Sequence, residues 1–81
     1  MSNQELRKEA HDLDVTVWVG KSGLDAVTEE LKGQLQNEKL VKVKFLRAAR
    51  GGTSTDELAE ELADEVNAKL IETRGNTAVF H

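Results

Sequence analysis

The chain has no cysteine, no proline and no tyrosine, and its aromatic residues are only Trp18, Phe45 and Phe80. Without cysteine there are no disulfides and no thiol chemistry, which suits a reducing compartment. Its two histidines, His11 and His81, lack the cysteine partners of a structural zinc site, so no metal or cofactor is expected. The longest apolar runs span a few residues, far short of the roughly 20 that a membrane helix requires. No basic–apolar leader opens the sequence. A cytoplasmic protein without a membrane partner is the expectation. At 81 residues the chain has room for one small domain over residues 1–81, burying about 60–65% of its extended surface, and none for a separate catalytic domain.

Charge is unevenly spread. The formal net charge is −4, a poor start for a nucleic-acid binder, but distribution matters more than the sum. Through residue 50 there are nine Lys/Arg and eight Asp/Glu; from Gly51 onward there are two and seven. Six of those late acids, at 56, 57, 60, 61, 64 and 65, crowd one segment. A locally basic surface is compatible with this layout. The acidic excess fits solubility, adaptation to salt, or a basic protein partner.

Periodicity orders the elements. Ser2 and Glu5 have capping-box spacing, and Leu6, Ala10 and Leu13 repeat on one side, predicting a helix over about 3–12. Val15-Thr16-Val17-Trp18-Val19 alternates and is β-rich, a strand by period and propensity. Leu24, Val27, Leu31 and Leu35 predict a helix over about 23–37. In 40–47, Val41, Val43 and Phe45 share one face of a strand and Lys42 and Lys44 the other; 48–53 reads as a flexible connection. Ser54 and Glu57 again have capping-box spacing ahead of Leu58, Leu62 and Val66, the third helix. Residues 68–72 and 77–80 read as a hairpin around a loop of about four residues, 73–76. The order α-β-α-β-α-β-β implies a two-layer α/β fold: a mixed four-stranded sheet backed by helices, with right-handed crossovers. The helix stripes need one sheet face, so Thr16, Trp18, Lys42 and Lys44 are expected on a partly open, polar second face.

The stretch Val19-Gly20-Lys21-Ser22-Gly23-Leu24 carries the main candidate site. It is not a phosphate loop of the NTPase type, because the position of the leading glycine is Val15, inside the strand. No G-x-G-x-x-G is present, so a dinucleotide site fails as well. Two glycines three apart let the main chain approach a bulky anion. Lys21 adds charge, Ser22 a hydroxyl, and a helix starting there would present free N–H groups. The device is similar to the GXXG loop with which KH domains hold RNA. The spacing alone favours a plain strand-to-helix turn, with Gly20 supplying an unusual dihedral, Ser22 capping and Lys21 facing water. No Ser/His/Asp set converges, and the acidic run reads as a solvated helix face, so no catalysis and no small-molecule substrate are expected.

Beyond the loop, the chain resembles the YhbY-like proteins of the CRM (chloroplast RNA splicing and ribosome maturation) domain family. Leu6-Arg7 with Ala10-His11-Asp12-Leu13 matches its "LR…AH.L" helix and 19–24 its "(I/V)GK.GL" signature. Leu40-Val41-Lys42-Val43-Lys44 matches its "LIKVK" strand, and Gly75 with Val79-Phe80 its terminal hairpin. The resemblance implies a fold similar to the C-terminal domain of translation initiation factor 3. It also implies binding of structured RNA, with large-subunit ribosomal RNA or its precursor and ribosomal proteins as partners, in ribosome assembly. The family's RNA-contacting loop would pass to Gly20, Lys21, Ser22 and Gly23, and its basic strand positions to Lys42 and Lys44. Asp14-Val15 stands where the family has proline before the first strand, and Phe80-His81 replaces its closing Tyr-Arg.

Arg47, Arg50 and Arg74 complete the expected RNA footprint with Lys21, Lys42 and Lys44. Parallel pairing of the first two strands would bring the glycine loop and the 47–50 loop to one edge of the sheet. Trp18 is open to two readings: stacking on an unpaired base, or burial beneath the N-terminal helix or the chain end. The high average burial of tryptophan favours the second.

Overall fold

The computed structural model describes the backbone of residues 3–81 and the side chains of residues 4–81. The Ser2 half of the first capping box lies outside the described residues. Helix α1 spans Asn3–His11, strand β1 Val15–Val19, helix α2 Thr28–Asn37, strand β2 Val41–Phe45, helix α3 Thr55–Val66, and strands β3 and β4 Leu70–Arg74 and Thr77–Phe80. The sheet order is β1-β2-β4-β3. β1 and β2 run parallel, and β4 is antiparallel to both of its neighbours.

β4 separates β3 from β2. Its sequence suits a central position: Ala78, Val79 and Phe80 are all buried, with Ala78 and Phe80 facing one side and Val79 the other. The main core joins Val17, Val43, Phe45 and Phe80 of the sheet to Leu31 of α2 and Leu62 of α3. A second, smaller core lies on the opposite face, where Leu6 and Ala10 of α1 meet Leu40, Ile71 and Val79, with Leu13 alongside. The mixed sheet backed by helices is therefore as expected, and α1 covers the β4–β3 half of the second face. The β1–β2 half stays open. Trp18, expected beneath the N-terminal helix or the chain end, is 53% exposed, because α1 crosses the other half of the same face, over β4 and β3.

Several local expectations change. The predicted single helix over 23–37 splits into a 3₁₀ turn at Leu24–Ala26 and α2 from Thr28. The 48–53 connection is ordered by successive turns: the amides of Ala49, Arg50 and Thr53 donate to the carbonyls of Leu46, Arg47 and Arg50 at 2.9, 3.1 and 2.8 Å. β3 continues to Arg74, leaving Gly75-Asn76 as a two-residue turn. Gly75 has φ 60 and Asn76 has no positive φ, the type II′ pattern that matches strand twist. A bulge between Val15 and Val17 also displaces Thr16 from the open face. Its hydroxyl donates to Gln34 Oε1 at 2.5 Å, pinning the edge strand to α2.

α3 follows its sequence signals closely. The Glu57 amide donates to the Ser54 hydroxyl at 3.2 Å, and Asn67 closes the helix in the left-handed conformation, φ 54. Glu57's carboxylate accepts from the Thr53 hydroxyl at 2.8 Å.

Candidate nucleic-acid interface

The Gly20–Gly23 segment is a β-turn closed by the Gly23 amide donating to the Gly20 carbonyl at 3.0 Å. Lys21 and Ser22 occupy its exposed centre. Gly23, not Gly20, carries the unusual backbone: φ 82, ψ −174 is a region essentially reserved for glycine. Gly20 has no positive φ, and a Cβ there would meet Leu46 Cδ1 at 3.7 Å, an ordinary contact. Ser22 is not a cap; the N-cap of the following 3₁₀ turn is Gly23, without a side-chain hydrogen bond. The expectation of helix amides at the loop is also corrected, since α2 begins only at Thr28. What the loop offers an anion is the main chain of the turn itself: among the described residues neither the Lys21 nor the Ser22 amide donates to a backbone carbonyl.

Three loops meet at this end of the sheet. The Leu46 amide donates to the Val19 carbonyl at 2.8 Å, joining the start of the 46–53 turns to the glycine loop. The Phe45 amide donates to the Asn76 carbonyl at 2.8 Å, which brings in the tip of the β3–β4 hairpin. Parallel pairing of β1 with β2 explains the first junction. The second depends on β4 lying beside β2, which local sequence patterns do not reveal.

The cations divide by position. Lys21 and Arg47 are exposed at the loop end. Lys44 is half-buried on the open face, in a cross-strand row whose partners are Trp18 on β1, Thr77 on β4 and, through Thr77, Arg74 on β3. Lys42 lies one row back, opposite Val79 and near His11, Glu72 and Arg74 in a shallow cleft beside α1. Arg74 was expected at the hairpin tip; it stands in β3, its Nη1 3.2 Å from His11 Nδ1. Glu72 Oε2 is 3.5 Å from His11 Nε2, so one imidazole bridges both. Arg50 is the outlier: it is half-buried, and its Nε is enclosed without a hydrogen-bond partner. Sequence reasoning missed His11 and Thr77 as neighbours of the basic row, because only the order of β2, β4 and β3 connects them.

The six carboxylates of α3 are exposed on the helix that covers the opposite, main-core side of the sheet. The main-core side of the sheet thus carries the α3 acids and the second face the row of Lys44 and Arg74, while Asp56 and Glu60 reach the β3 edge, where they line a cleft with Arg7, Glu72 and Thr73. Among the described residues, no three His, Asp or Glu side chains group as a metal set, and no helix is long and apolar enough to cross a membrane.

The profile of the CRS1 / YhbY (CRM) domain matches residues 2–81. The chain belongs to the CRM domain family. A relative from Methanocaldococcus jannaschii, named "Probable RNA-binding protein MJ0652", is 39% identical over 71 residues, which make up 88% of this CRM chain and 53% of that protein. The chain therefore spans about half the length of the curated relative it matches. The solution structure of SAV1595 from Staphylococcus aureus, described there as a candidate RNA-binding protein, superposes with a TM-score of 0.79 at 28% identity. That match covers 98% of this CRM chain and 81% of the staphylococcal one.

Proposed function

We propose that this CRM domain binds structured RNA by its sugar–phosphate framework, without catalysing a reaction. The Gly20–Gly23 turn and Lys21 form the grip, with Lys42, Lys44, Arg47 and Arg74 extending it and Arg50 contributing at its margin. One observation carries the reading: the glycine turn, the 46–53 turns and the hairpin tip share one end of the sheet, while the acidic helix lies across the sheet from the basic row. A polyanion meets cations and free backbone amides there without facing the carboxylates of α3. Gly20 adds support, since the fold itself does not require a glycine at that position, whereas close approach of a phosphate does. Recognition of this kind reads shape more than base identity. The names of its relatives agree with RNA as the ligand.

We place the domain in ribosome assembly in the cytoplasm, with large-subunit ribosomal RNA or its precursor as the partner. Filter binding to structured large-subunit RNA at two salt concentrations tests the reading. About four cation–phosphate contacts give a log-affinity against log-salt slope near −3 to −4. Salt-insensitive binding, or full affinity in a folded Lys21→Ala/Lys44→Ala variant, rejects the electrostatic clamp. The exposed acids along α3 favour a second role as a contact for a basic ribosomal protein. Binding that survives the double lysine variant but fails when those acids are neutralised supports that role instead.

A further inference from the structure

We propose that the second sheet face takes an unpaired nucleotide, its base stacked on the Trp18 indole in the open β1–β2 half while Lys44 and, at the exposed end of β3, Arg74 contact the phosphates of the strand crossing the sheet. The proposal rests on the clamp reading and deepens it: the RNA presents a single-stranded segment beside its structured part.

Trp18 is the first observation. A five-residue strand holds it on a rigid element, and it remains 53% exposed although the chain is small and has few large apolar groups to spare. The Thr16 bulge and its bond to Gln34 fix the strand just before it, so the ring is presented from a supported edge. The glycine turn begins at Gly20, two residues beyond.

The row beside it is the second. Trp18, Lys44, Thr77 and Arg74 stand opposite one another on four neighbouring strands. At 4.7–4.9 Å per strand, the row spans roughly 14 Å from the backbone of β1 to that of β3. An aromatic platform followed by cations along a groove is how single strands are held without sequence preference. Glu72, a carboxylate on this face, is half-buried and turned to His11. The same His11 touches Arg74, orienting the guanidinium along the sheet without neutralising it.

The charge also argues against other occupants. Trp18 and Leu46 are the exposed large hydrophobic residues among those described, with Lys44 beside Trp18 across the strands and exposed Arg47 next to Leu46 in the chain, so an apolar protein surface finds little to bury. A second copy docked symmetrically would set Lys44 and Arg74 against the same row of its partner, a repulsive contact.

The test compares two probes: a fully paired RNA hairpin, and the same hairpin with a short unpaired adenosine tail. Trp18 is the chain's single tryptophan, so its fluorescence reports stacking directly. The tailed probe should bind more tightly and quench that fluorescence, and the paired probe should do neither. Trp18→Ala should weaken the tailed probe about 5- to 150-fold, the equivalent of about 1–3 kcal/mol for one stacked base, and bring both probes to equal affinity. Trp18→Phe should retain most of the difference. Lys21→Ala should weaken both probes alike. Equal binding and no quenching by the tail, with Lys21→Ala still effective, overturns the stacking site and leaves the clamp standing. Failure of both probes to bind overturns both. Self-association of the free protein that Trp18→Ala abolishes assigns the face to a second copy and overturns the proposal.

Discussion

Replacing Gly20 and Gly23 separately by alanine distinguishes what the loop needs for folding from what it needs for binding. Gly23 holds φ 82 and ψ −174, where a Cβ is strained, so Gly23→Ala should cost about 1–3 kcal/mol. For a domain of this size each kcal/mol lowers Tm by roughly 4–8 °C, and urea unfolding should show an earlier midpoint at constant slope. Gly20 has no such backbone, and an added Cβ meets Leu46 at 3.7 Å. Gly20→Ala should therefore leave stability unchanged or raise it by about 0.4–1 kcal/mol through a less flexible unfolded chain. RNA affinity should respond to Gly20→Ala nevertheless, because the methyl displaces a phosphate from the turn amides. A lost charged hydrogen bond is worth about 1.5–3 kcal/mol, tenfold or more in Kd. A neutral Gly23→Ala, or a Gly20→Ala that loses more than about 1 kcal/mol, refutes the reading of the turn. A stable Gly20→Ala with full RNA affinity refutes close approach of the backbone.

Single replacement of Lys21 or Lys44 by alanine should reduce the steepness of the salt dependence by about 1 each, read from binding isotherms over a salt series. Ser54→Ala removes the α3 cap and should cost about 1 kcal/mol in urea unfolding without changing RNA affinity. Leu62→Ala, in the fully buried main core, should cost about 2–5 kcal/mol by the same measurement. Neutralising Glu61 and Glu65 together should leave RNA affinity nearly unchanged at physiological salt, since both are exposed on α3, which packs on the main-core side of the sheet, and the screening length is about 8 Å; a large gain measured by filter binding would show that the acids face the ligand.

Much of this molecule is legible from local pattern. The Ser54–Glu57 spacing announces the start of α3, and alternation in 41–45 assigns Val43 and Lys44 to opposite faces, as the fold has them. The junction of the glycine loop with the 46–53 turns followed from parallel pairing alone. Other expectations failed for identifiable reasons. The apolar spacing of Leu24, Val27 and Leu31 continues across a 3₁₀ turn and an α-helix alike, so periodicity missed the break at Val27. The Thr16 bulge is a two-against-one mismatch with β2, and strand composition is blind to it. Arg50 is expected in the RNA footprint, yet it is half-buried and its Nε is enclosed without a hydrogen-bond partner.

The sequence by itself determined the inward stripes of the helices and of β2, because burial imprints the periods of helix and strand on the order of apolar side chains. It also determined the basic glycine turn and the separate acidic helix, both contiguous in the chain. Only the tertiary structure decided that β4 enters between β2 and β3 and that α1 crosses the β4–β3 half of the second face. Those two choices leave Trp18 uncovered and align it with Lys44 and Arg74. The physical reason is that periodicity records the face a side chain buries, not the strand that will lie beside it; neighbours from distant parts of the chain are chosen by how the two cores pack together.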